Sequence, residues 1–81
     1  MLLIFMKEDD YVPLSMADIG KKYVIRRIRG KDEVVRFIEN LGFVAGAEVI
    51  VVAQMHGNII VNVKGSRVAV GRDMAGKIIV E

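Results

Sequence analysis

The sequence predicts a mainly β protein: a small, strongly bent barrel of about five antiparallel strands, with one short helix in the first crossover and one or two helical turns. Of its 81 residues, 53% are hydrophobic but only 6% are aromatic, and Val and Ile, which favour half-buried strands, dominate. From Glu48 onward, short β-type runs alternate with turn signals, as in sequential hairpins. Closing such strands into a barrel removes exposed strand edges.

Composition limits the kinds of site that the chain can carry. A chain of 81 residues forms one domain with a thin core, and without cysteine it has neither a disulfide nor a thiolate metal site. Twelve basic and ten acidic residues give a net charge of +2. This mixed surface permits a nucleic-acid partner without requiring one.

The first twelve residues are predicted to be an N-terminal extension, and residues 13–81 the folded domain. The apolar stretch from Met1 to Met6 precedes four charged residues and is far shorter than the ~20 residues of a membrane helix. It also lacks the marks of a signal peptide, so we expect a cytoplasmic protein. The stretch could pack as an edge strand or short helix on its own barrel, or it could pair across two chains in self-association.

The domain is predicted to open with a helical turn and a bulged strand. Residues 14–20 fit one helical turn, with Ser15 and Asp18 at capping-box spacing and Gly20 as the stop. Residues 23–29 favour a strand, but the apolar Ile25 and Ile28 are three apart. A bulge near Arg26 and Arg27 would return both isoleucines to the core face.

A helix is predicted over residues 31–41, followed directly by a strand. Its apolar residues recur at helical spacing and fall on one face: Val34, Phe37, Ile38 and Leu41. Asp32 and Glu33 suit the positive end of the helix. Gly42 suits the position after its end that needs φ > 0, where Phe43 can fold back onto the last turn.

The rest of the chain is predicted to form hairpins. The expected strands are residues 49–55, 59–63, 66–70 and 78–80. They are joined by a tip at 56–58, a tight turn at 64–65 and a short turn at 71–76 that can coil into a helical loop.

The order and spacing of these signals resemble the ferrous iron transport protein A (FeoA) family of SH3-like barrels. The resemblance covers nearly everything after residue 12. The matching residues are Pro13-Leu14-Ser15, Ile19-Gly20, Ile25, Ile28-Arg29-Gly30, Phe37-Ile38-Glu39-Asn40-Leu41-Gly42-Phe43, Gly46-Ala47-Glu48-Val49, Val63-Lys64-Gly65-Ser66-Arg67-Val68-Ala69-Val70, and Ala75, Lys77, Ile78 and Val80. The chain departs from the family in its short loop at residues 54–58 and in its leading segment.

The resemblance implies a non-enzymatic cytoplasmic adaptor of ferrous iron uptake. Such an adaptor would bind and support FeoB, the membrane GTPase transporter of ferrous iron, and could sit at the inner face of the membrane through that partner. The alternative is an SH3-like regulatory or nucleic-acid-binding module that uses the basic edge from Arg26 to Lys31.

The residues themselves point to no chemistry. The chain has no G-x-x-x-x-G-K-[ST] phosphate loop, and its one histidine, His56, falls at a predicted hairpin tip as a solvated turn residue. Ser15 or Ser66 could be grouped with His56 and Asp73 on paper, but nothing orients them. We therefore expect no enzyme and assign no catalytic, metal or cofactor-binding residue.

Partner contacts are predicted at cations and at the loop after the helix. The cations are Arg26, Arg27, Arg29, Lys64 and Arg67, and their ordinary alternative is a solvated surface that balances nearby carboxylates. Nucleic acid is disfavoured because only Tyr23 lies near the arginines for stacking. Phe43 and Val44 are the apolar candidates; the commoner fate of Phe43 is the core, and the two fates of Val44 are evenly balanced.

Overall fold

The computed structural model describes residues 11–81 and shows the mainly β fold that the sequence predicts. The strands are Val12–Pro13 (β1), Lys22–Ile28 (β2), Glu48–Met55 (β3), Asn58–Val63 (β4), Ser66–Gly71 (β5) and Ile78–Val80 (β6), and the helices are Asp32–Asn40 (α1) and Arg72–Ala75 (α2). The predicted roles of the stretch from Met1 to Met6 lie outside the described residues. The division at residue 12 stays a prediction.

Six antiparallel strands form one sheet in the order β1-β6-β2-β3-β4-β5. The sequence predicts about five, and the additional strand is β1, in which Val12 pairs with Val80 and Pro13 with Ile79. Two residues carry no periodicity, so this strand exists only through its pairing with β6. Proline is tolerated there because β1 is an edge strand.

The predicted bulge in β2 is confirmed, and it bends the sheet. The first half of β2 pairs with β3, the second half pairs with β6, and the register shifts between Ile25 and Arg27. Ile25 is fully buried, and Ile28 packs against the core from a half-buried position. The extra residue thus turns both isoleucines inward while β2 passes from one partner to the other.

The core is aliphatic and alternates along the strands. Buried residues fall two apart in β3, β4 and β6: Val49 and Val51, then Ile59, Val61 and Val63, then Ile78 and Val80. No polar or charged residue in the described part of the chain is buried. Stability therefore comes from aliphatic burial between bent strands.

The end of α1 is capped as predicted. Gly42 adopts φ +109°, its N–H donates to Glu39 O at 2.9 Å, and the Phe43 N–H donates to Ile38 O at 3.4 Å. This pair of bonds is the Schellman motif, and Phe43 is fully buried beside it. The motif turns the chain from α1 toward β3.

One predicted core residue of α1 is exposed instead. Ile38 is fully buried, whereas Phe37 is 53% exposed. Successive residues of an α-helix point about 100° apart. The helix packs on the barrel through Ile38, and Val34 and Leu41 are half-buried beside it. Phe37 therefore lies at the outer edge of the apolar stripe.

Two turns differ from the sequence prediction in detail. The first turn is a 3-10 helix at Leu14–Met16 that follows Pro13, and no side chain caps it, so the capping box from Ser15 to Asp18 does not form. The β3–β4 hairpin has a two-residue turn, because Asn58 pairs with Met55 and belongs to β4.

Candidate functional site

The predicted basic edge, Arg26, Arg27 and Arg29, is exposed but does not act as one cluster. Arg26 Nη1 lies 3.3 Å from Glu81 Oε2, and its guanidinium lies 6.0 Å from the Tyr11 ring centre. Arg27 lines a shallow cavity of about 500 Å³ together with Tyr11, Arg26 and Ile79. Arg26 thus balances a carboxylate, as its ordinary alternative predicts, and that carboxylate belongs to Glu81.

Arg29 belongs to a different surface, which we call the basic pocket: Arg29, Arg72 and Lys77. The three cations line a cavity of about 470 Å³ together with Asp73. The backbone explains the grouping, because the Arg29 N–H donates to Lys77 O at 2.8 Å just before β6 begins, and α2 immediately precedes this point. Sequence reasoning identified only Arg29, since Arg72 and Lys77 are far from it along the chain.

Lys64 and Arg67 lie at the β4–β5 hairpin, which β3 separates from β2 in the sheet order. Lys64 (φ +51°) and Gly65 (φ +77°) form its two-residue turn, and both positive φ values are those of a type I′ hairpin. Arg67 Nε donates to Asn62 Oδ1 at 3.3 Å. The predicted cations are therefore spread over more than one surface.

The two apolar candidates after α1 have different fates. Phe43 is fully buried, as its alternative core role predicts, so its side chain offers no surface to a partner. Val44 is half-buried in the turn, where its carbonyl accepts from the Ala47 N–H at 3.0 Å. Val44 keeps its place as a candidate contact.

A surface that the sequence analysis missed lies between the two helices. We call it the helix groove: Val34 and Phe37 of α1 and Met74 of α2. Its volume is about 550 Å³, and Glu33, Asp73 and Lys77 contribute to its rim. Periodicity places Phe37 in the apolar stripe of α1 but does not show that its side chain stays exposed, so no sequence signal marks this groove.

The side chains that could bind a metal ion are dispersed over the described part of the chain. Within it, no three His, Cys, Asp or Glu side chains lie close enough together to hold a metal ion. His56 is exposed at the β3–β4 turn with φ +46°. Neither helix in residues 11–81 has the length and apolar character needed to cross a membrane.

Comparisons with known proteins agree on one family. The model of the FeoA domain matches residues 12–81. A protein of Methanocaldococcus jannaschii, named as a proposed Fe(2+) transport protein A, is 30% identical over 69 residues, which are 85% of this chain and 84% of that protein.

Solved structures of similar proteins share the fold. One is an iron uptake regulatory protein, FeoA, with a TM-score of 0.81 and 34% identity over 88% of this chain and 95% of that one. Another is Stenotrophomonas maltophilia FeoA complexed with zinc, with a TM-score of 0.73 and 27% identity over 84% of this chain and 87% of that one. The latter is described as a prokaryotic SH3 domain protein and suggested to activate ferrous iron transport.

Proposed function

This chain belongs to the FeoA family, and from that premise we propose that it is a non-enzymatic cytoplasmic adaptor of ferrous iron uptake. It binds and supports a FeoB-type membrane GTPase transporter, and through that partner it sits at the inner face of the membrane. The observation that carries the proposal is the family match, which extends over the whole described barrel from residue 12 to residue 81.

The surface of the described domain supports an adaptor role. Its charges are exposed, its polar groups lie outside the core, and it carries open grooves between secondary-structure elements. A protein partner can use such surfaces without any reacting group. Partner-binding roles for Arg26, Arg27, Arg29, Lys64, Arg67 and Val44, and self-association through the stretch from Met1 to Met6, belong to this proposal.

Ferrous uptake in cells tests the proposed function. A clean deletion of this chain should slow accumulation of radioactive ferrous iron, and a plasmid copy should restore it. The transporter must be shown by immunoblot to remain at its normal level, so that lost support is separated from lost transporter. Normal uptake in the deletion strain would contradict the proposal.

One observation favours a second candidate, a nucleic-acid-binding module. Tyr11 is 43% exposed and lies beside Arg26 and Arg27, which supplies the stacking aromatic that the sequence analysis did not find next to the basic edge. Phosphate contacts make affinity fall steeply as salt rises. RNA affinity that drops with salt and is lost in Tyr11→Ala would support this candidate, and no binding at physiological salt would remove it.

A further inference from the structure

The helix groove contains an exposed aromatic side chain of α1, Phe37. Phe37 is 53% exposed, and Val34 and Met74 beside it are half-buried. The other exposed large apolar residues of the described chain do not line this groove: Tyr11, Met16, Ile19 and Met55. The groove is therefore an apolar site open to solvent, and a side chain inserted by a partner could fill it.

The helix groove continues directly into the basic pocket. Asp73 and Lys77 line both cavities, so the apolar floor and the three cations form one surface. None of Arg29, Arg72 and Lys77 forms an ion pair with another residue in the described range, where the only pairs are Lys22 with Glu48 and Arg26 with Glu81. Arg72 Nη2 has one long side-chain hydrogen bond, 3.5 Å to Gln54 Oε1.

We propose that the helix groove and the basic pocket together form one docking surface for a short acidic segment of a protein partner, which inserts an aliphatic or aromatic side chain beside Phe37. This inference rests on the proposed function, because the segment would come from the cytoplasmic part of the transporter. It names the surface and the chemistry of contact, which family membership does not give.

Charge decides the nature of the occupant. In the basic pocket three cations face one carboxylate, Asp73, so an anionic group is the complementary ligand. Arginine and lysine at the edge of an apolar cleft can hold the carboxylates that flank an inserted side chain. An acidic segment with a single large apolar side chain satisfies both parts of the surface.

The same geometry disfavours a lipid surface. A membrane would bring anionic headgroups against Glu33 as well as against the cations, whereas a peptide segment can place its carboxylates at the basic pocket, which Glu33 does not line. A protein segment is therefore the better match.

The first test removes the apolar contact. In a binding titration with detergent-solubilised FeoB transporter, Phe37→Glu should weaken binding by about tenfold or more, as expected for a central aromatic anchor. Met55→Glu is the matched control, because Met55 is 56% exposed and lies on β3 outside the groove. The control should bind within about twofold of the wild type, and the fold of both variants is checked by circular dichroism and thermal unfolding.

The second test reverses the charge of the pocket. The double variant Arg29→Glu and Lys77→Glu should weaken transporter binding by about tenfold or more and remove most of its salt dependence. Lys21→Glu is the matched control, since Lys21 is an exposed cation just before β2 that lines neither of these cavities. Wild-type affinity in both Phe37→Glu and the double variant would overturn the inference and leave the proposed function intact.

A peptide titration separates failure of the inference from failure of the proposed function. A synthetic peptide of alternating Leu and Glu should shift the NMR signals of Phe37, Met74 and Arg29, and one of alternating Leu and Lys should not. If the transporter fails to bind wild-type protein, the proposed function falls, and the peptide result then decides the inference alone. Absence of peptide shifts at Phe37 would overturn it.

Other occupants would show themselves in the same experiments. Binding to vesicles of anionic phospholipid that is lost in Phe37→Glu, with transporter binding unchanged, would assign the surface to the membrane and overturn the inference. Concentration-dependent shifts of Phe37 without peptide would identify a second copy of this chain as the occupant, which would also overturn it.

Discussion

Phe37 and Phe43 lie on either side of the end of α1 and serve opposite purposes. Phe43 is fully buried against the capped helix end, and Phe37 is 53% exposed in the helix groove. A phenylalanine side chain is thus part of the core at position 43 and a candidate partner contact at position 37. Burial, not residue type, decides which.

Truncating each phenylalanine should separate stability from binding. Phe43→Ala should lower the free energy of unfolding by about 3–5 kcal/mol, because it leaves a cavity in a thin core. Phe37→Ala should lower it by less than about 1 kcal/mol, since the exposed ring already meets water. Urea unfolding followed by circular dichroism measures both. Equal losses would contradict the burial assigned to these residues.

The junction from α1 to β3 depends on one backbone conformation. Gly42 has φ +109°, and a Cβ built at this position would lie 3.7 Å from Val63 Cγ1, an ordinary contact. A Cβ here would therefore meet no steric clash with its neighbours. The cost of substitution comes from the positive φ alone.

Gly42→Ala should destabilise the domain by about 1–2 kcal/mol, because alanine does not readily adopt this φ. Gly71 is the matched control: its φ is −69° and no atom lies within 4 Å of an added Cβ, so Gly71→Ala should change stability by at most about 0.5 kcal/mol. Thermal and urea unfolding report both. A neutral Gly42→Ala would mean that the helix cap does not define the junction.

Local signals predicted the elements well wherever one short stretch determines the structure. The helix cap at Gly42, the bulge between Ile25 and Arg27 and the Lys64-Gly65 turn all follow from residues adjacent in sequence. Contacts between distant segments were not predictable in this way. Val12 becomes a strand residue only by pairing with Val80, because a two-residue strand has no pattern of its own.

The candidate site was less predictable than the fold for the same reason. The basic pocket joins Arg29 of the loop after β2 to Arg72 at the start of α2 and to Lys77 just before β6. The pairing of β2 with β6 brings these distant segments together. Periodicity placed Phe37 in the stripe of α1 but could not show where the barrel surface ends. Exposure at the margin of a stripe is set by what packs against it.

In the whole molecule, the candidate contact surfaces lie on different parts of the barrel. The helix groove and basic pocket lie where α1, α2 and the start of β6 meet, whereas Lys64 and Arg67 lie at the β4–β5 hairpin beyond β3. A net charge of +2 provides little overall attraction to any partner. Specific binding must therefore come from a local surface.

Binding of the purified full chain to purified FeoB transporter is the decisive measurement for the adaptor role. In a titration at physiological salt, we expect saturable binding at one site per transporter subunit, weakened at least tenfold by Phe37→Glu and unchanged by Met55→Glu. No saturable binding of the wild-type chain, with both proteins folded and the transporter able to bind nucleotide, would contradict the claim that this chain is an adaptor of that transporter.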